Sequence, residues 1–242
     1  MNTSLYRAIM IIMALLITNY LFSQSIKLGS WFVFNTEVHF DKKWNLFFEQ
    51  QVRSLKPANN LFYHELKAGV AYSVSDNLSA LLGTGQYVTY SPDGNFKSPV
   101  QSTEFRIWEQ VQLNSNINRL KLEHRYRIEQ RFFSTGFRNR FRCRLNTILP
   151  LNKAKITDHT IFATIYDELF LTGTNPIFET NRVSAGVGYV FNKYITIQAA
   201  GVRQFDLRKD RTTARRNFIQ ASLLFDIYYS KVSKKITPEI TD

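Results

Sequence analysis

The stretch 120–133, LKLEHRYRIEQRFF, limits this chain more than any other. Read at period two, one face carries Leu120, Leu122, His124, Tyr126, Ile128, Gln130 and Phe132. The other carries Lys121, Glu123, Arg125, Arg127, Glu129, Arg131 and Phe133, six charges in seven positions. Successive side chains of a strand point to opposite faces, so the segment has an apolar wall and an ionised one. Burying that ionised wall in a dry sandwich core would carry a large desolvation cost. A wet lumen can hold it, and apolar-out, polar-in alternation over about ten residues is the pattern of a transmembrane β-barrel.

The first residues read as an export signal. Arg7 precedes the apolar run Ala8–Leu16, which resumes through Leu21 and Phe22 before small or polar Ser23-Gln24-Ser25. That is the layout of a cleaved signal peptide over 1–24. Its removal takes away one Arg and no acid from a chain of net charge +12 and leaves +11. The only cysteine, Cys143, lies mid-strand, so no disulfide framework is expected. Residues 25–229 are then a barrel and 230–242 a polar tail with three lysines and Pro238.

The alternation recurs along the chain. Strands are expected from about Trp31 to Phe40 and over 44–54, 62–72, 78–90, 103–113, 120–133, 140–149, 159–171, 182–191, 194–205 and 217–228. No segment after the signal has a 3.6-residue period, so the class is all-β, an up-and-down antiparallel transmembrane barrel. The count comes to eleven, whereas single-chain bacterial barrels usually have an even number. Twelve is therefore the expected total and ten the next. The segments 41–43, 75–77, 114–119, 150–158 and 192–193 read as periplasmic turns. The segments 55–61, 91–102, 134–139, 172–181 and 206–216 read as surface loops. Glu109 is a misfit on the apolar face; a bulge near Trp108 or a different register would turn it inward.

The runs Arg106-Ile107-Trp108-Glu109, 123–127, 129–131, Arg140–Arg144, Tyr166–Leu169 and Arg203-Gln204 resemble a Gram-negative outer-membrane family catalogued as domain of unknown function 2490. The resemblance spans Trp31 to Tyr228 through loose, strand-like motifs. It implies an outer-membrane barrel and no established activity.

Projecting the inward positions gives a basic patch of Arg106, Lys121, Arg125, Arg127, Arg131, Arg140, Arg142 and Arg144, with Arg182 beyond it. Glu104, Glu123, Glu129 and Glu168 are the acidic partners. Arg106, Arg125, Arg127, Arg142 and Arg144 are expected to form one patch across three neighbouring strands. Arginine rings favour anions in pores, and guanidinium forks suit carboxylates and phosphates. Two functions follow. One is passage or binding of small anionic solutes through a narrow lumen. The other is a structural or assembly component whose lumen is closed by Arg/Glu pairs.

Catalysis is not expected. No Gly-x-Ser-x-Gly element occurs, and neither His64 nor His124 has a serine at matching depth. Four scattered histidines show no metal-ligand spacing, so neither metal nor cofactor is expected. Nucleic acid is an unsuitable partner because the positive charge is split between lumen and loop. The loop 206–216, with Arg208, Lys209, Arg211, Arg215 and Arg216, would face outer-membrane lipid phosphates, including those of lipopolysaccharide. The expected protein is a monomer in the outer membrane.

Overall fold

A computed structural model describes residues 28–229 apart from 93 and 98. The expected signal segment 1–24 and the tail 230–242 lie outside the described residues. Every regular element described is a strand: β1 (Leu28–His39), β2 (Trp44–Lys56), β3 (Asn59–Ser73), β4 (Leu78–Tyr90), β5 (Val100–Ile117), β6 (Leu120–Phe133), β7 (Gly136–Pro150), β8 (Ile161–Thr172), β9 (Phe178–Asn192), β10 (Ile195–Leu207) and β11 (Thr213–Tyr228). Each strand pairs antiparallel with the next, and β1 closes on β11, so the sheet is a complete ring.

The total is eleven, neither twelve nor ten. The preference for an even number assumed that every pair, closure included, is antiparallel. An up-and-down series with an odd count brings its first and last strands together pointing the same way. β1 and β11 accordingly pair in parallel from Leu28↔Asn217 to His39↔Tyr228. No twelfth crossing is needed, because this seam supplies the last set of ladder hydrogen bonds and leaves no open edge.

Register is continuous over most of each ladder. The four irregularities lie at Arg53/Ser54, Thr89/Tyr90, Phe170/Leu171 and Ile195/Thr196, all close to strand ends. The alternation read from the sequence therefore carries across the barrel wall without a slip.

Several connections are tighter than expected because the strands run on into them. Only 57–58, 118–119 and 134–135 separate β2 from β3, β5 from β6 and β6 from β7. Asn118 takes a left-handed φ of 55°, which the short β5–β6 turn requires and asparagine tolerates. The sorting into short turns and long loops dissolves with this. The end where β1 finishes (the near end) carries the ten-residue 151–160, and the far end carries 91–99. Loop length thus gives no orientation.

Two glycines seat large inward rings. A Cβ on Gly83 would fall 2.3 Å from the Trp108 ring, and one on Gly188 would fall 2.2 Å from that of Phe162. Small residues on β4 and β9 are what make room for these aromatic side chains inside the bore.

Candidate functional site: a closed, arginine-rich lumen

All of the inward residues expected from the sequence face inward. Lys121, Glu123, Arg125, Arg127, Glu129 and Arg131 alternate as buried positions with the half-buried to exposed His124, Tyr126, Ile128 and Gln130. Glu104, Arg106, Arg140, Arg142, Arg144, Glu168 and Arg182 are buried as well. The expectation of a wet lumen is not met. Glu129 and Glu168 have 0% exposure, as does Trp108. The charges are tolerated because they meet one another and aromatic faces rather than water.

The expected patch is one connected lattice built around two carboxylates, Glu129 and Glu168. In register, Arg125 lies opposite Arg144 and Arg127 opposite Arg142, but Arg106 lies opposite Arg131. Glu129 joins the halves. It accepts from Arg140 at 2.5 Å and Arg142 at 2.8 Å, with Arg127 at 3.6 Å and Arg106 at 3.8 Å. Glu168 does the same two strands further on, with Arg125 at 2.5 Å, Arg142 at 2.8 Å and Arg182 at 3.6 Å. Glu104 receives a two-pronged contact from Arg106 at 2.7 and 2.8 Å and a second from Arg131. Paired forks of this kind fix geometry as well as charge. Lys121 and Glu123 form their own pair, and Asn146 donates to Glu123 at 2.7 Å.

Ring faces complete the packing. The Arg106 guanidinium stands 3.6 Å from the centre of the Tyr87 ring, and Arg53 stands 3.6 Å from that of Trp31. Phe170 lies under Arg140, Arg142 and Arg182, and Tyr166 under Arg144. A desolvated guanidinium gains most from such contacts.

The sequence reading missed parts of this interior. Lys67 lies between Glu49 and Glu65 on β2 and β3, fully buried, and Glu179 binds Arg131 at 3.1 Å near the far rim. Lys67 follows from the same alternation that exposed the others; Glu179 departs from it beside the irregularity at Phe170/Leu171. At the near end Ile148, Phe162 and Val190 pack together with Ile156 of the 151–160 connection. The backbone of His159 and Thr160 pairs with Val190. On the β7 to β9 side, the near end of the bore is filled by apolar packing.

Three expectations need correcting. Glu109 is not turned inward: the β4–β5 and β5–β6 registers run unbroken through Trp108, and Glu109 faces out, accepting from Gln130 at 3.0 Å. Asp167, also outward, likewise accepts from Asn181. The basic loop shrinks to 208–212, where Arg208, Lys209 and Arg211 are exposed. Arg215 and Arg216 belong to β11 instead: Arg215 lies against the Phe205 ring, and Arg216 binds Asp206 at 2.8 Å.

Outside, the wall is apolar through Phe32, Phe34, Phe48, Leu66, Leu82, Val111, Ile128, Leu145, Ile165, Val187 and Ile219. Aromatic contacts cluster toward both ends. Trp44–Tyr72 and Tyr189–Phe191 mark the near end; His64–Tyr90–Phe96 and Phe132–Phe137 mark the far end. Among the described residues there is no helix long and apolar enough to cross a membrane, which says nothing of crossing by strands.

These features define a class: a closed all-β barrel, apolar outside and packed with ion pairs and aromatic rings inside. The family model described as protein of unknown function (DUF2490) matches residues 28–215. The chain belongs to that family. No curated protein and no solved structure matches it.

Proposed function

We propose that this chain is an outer-membrane β-barrel whose lumen is closed by its Arg/Glu lattice, serving as a structural or assembly component of that membrane. The carrying observation is that the charged residues at mid-bore, Glu129 and Glu168 above all, are sealed from solvent. The apolar outer wall and the aromatic clusters at both ends support a membrane setting, since barrels present such a band with aromatic girdles. The export-like first residues support the same address.

A second reading, binding or passage of small anionic solutes, is favoured by one observation. Eight buried arginines, Arg106, Arg125, Arg127, Arg131, Arg140, Arg142, Arg144 and Arg182, stand in this part of the bore beside four glutamates, Glu104, Glu129, Glu168 and Glu179. The lattice therefore carries excess positive charge, and arginine-lined bores select anions.

Planar-bilayer recording on the purified barrel separates the two. The closed reading expects no stepwise conductance at neutral pH. Stable unitary currents with anion preference would replace it by the second reading. Fractionation of the expressed protein tests the address: it should partition with outer membranes and run faster on gels when unheated. Recovery as a soluble protein would overturn the membrane setting.

A further inference from the structure

A different chemistry lies at the parallel seam. Glu37 and His39 on β1 and Asp226 on β11 point to the near end of the bore. Their ligand atoms all lie within 4.8 Å of one another, and they are the only such group of histidine, cysteine and acids among the described residues. We propose that Glu37, His39 and Asp226 form a divalent transition-metal site, with zinc as its natural type of occupant, that clamps the first strand to the last.

Register brings the three together. Glu37 is paired directly with Asp226, so two carboxylates stand side by side across the seam. Like charges in that position repel, and the His39 ring that lies between them brings a third ligand type to the pair. The sequence spacing alone hides the group, because Asp226 is 187 residues from His39.

The separations suit a metal. Tetrahedral zinc with bonds of about 2.0–2.2 Å sets neighbouring ligand atoms about 3.4 Å apart. His39 Nε2 lies 2.9 Å from Asp226 Oδ1 and 3.7 Å from Glu37 Oε2, values that straddle this edge. One imidazole and two carboxylates give three protein ligands and leave a fourth position open, as in zinc sites with a bound water.

The surroundings orient the ligands. Asn45 Nδ2 donates to Glu37 Oε2 at 3.1 Å, and the His39 ring stacks on Tyr228 with centroids 4.6 Å apart. Outer contacts of this kind fix carboxylate and imidazole direction, and their loss costs metal sites about 10–100-fold in affinity. All three ligands are partly exposed, so an ion can reach them from the mouth of the barrel.

The test is zinc titration of the purified, metal-stripped barrel in detergent, followed by calorimetry and by thermal unfolding. One saturable site is expected, with an upward shift of the unfolding temperature at saturating zinc. His39→Ala and Asp226→Asn should each abolish the site, and His159→Ala should leave it intact. Asn45→Ala keeps all three ligands and should weaken binding about tenfold or more, which preserves the test if a ligand variant fails to fold. Absence of zinc uptake by the native barrel, or uptake unchanged in both His39→Ala and Asn45→Ala, would overturn the assignment.

Discussion

Replacing Glu129 by glutamine probes the lattice at its most connected point while preserving shape. The carboxylate meets Arg140 at 2.5 Å and Arg106 at 3.8 Å, with Arg142 and Arg127 between. At an effective dielectric near 20, unit charges at those two limits attract by about 7 and about 4 kcal/mol. The gross loss is partly offset, because the neutral amide no longer bears the carboxylate's desolvation cost. Breaking one member of a buried pair costs about 3–5 kcal/mol net, and four guanidiniums left to repel one another put this site at the upper end. Equilibrium unfolding in denaturant, with the purified barrel in detergent, reads that difference directly. The companion Glu109→Gln removes an equally negative charge that accepts from Gln130 on the outer wall, and it should change stability by less than about 1 kcal/mol. If Glu129→Gln also falls within about 1 kcal/mol of the native protein, the Arg/Glu lattice does not hold the bore shut, and the closed-lumen reasoning fails.

Gly83→Leu should destabilise the barrel or prevent its folding, because the new side chain occupies the space of the Trp108 ring; native-like unfolding and heat-shifted gel mobility would refute that packing. With Cys143 replaced by alanine, a cysteine at Arg208 should react quickly with a small water-soluble maleimide, whereas cysteines at Arg125 and Ile128 should not. Rapid labelling at Arg125 would mean that water reaches mid-bore. Leu66→Arg on the outer wall should cost about 2–4 kcal/mol in lipid bilayers if Leu66 lies near the midplane. An unchanged unfolding free energy would show that this wall does not face hydrocarbon there.

Period-two alternation determined which wall each side chain joins, and the structure keeps that assignment from Glu104 to Arg182. A one-residue slip would have moved every charge to the apolar face, so burial on one side pins the register. The turn within 114–119 and the strand positions were readable for the same local reason, although β5 runs on to Ile117. Closure was not. Whether β1 meets β11 in parallel depends on the total count and on a contact between residues almost two hundred positions apart, which no window of sequence contains. The same limit governs the interior. Alternation says that Arg106, Arg125 and Glu129 point inward, but only the offset between neighbouring strands decides that Arg106 faces Arg131 and that Glu129 serves four arginines. The bore's dryness is likewise tertiary. It arises because Tyr87, Trp108, Tyr166 and Phe170 arrive from β4, β5 and β8 to lie against guanidiniums supplied by β5, β6 and β7. The seam group of Glu37, His39 and Asp226 exists only once the ring has closed, since parallel pairing is what sets two carboxylates and an imidazole on one patch of the bore.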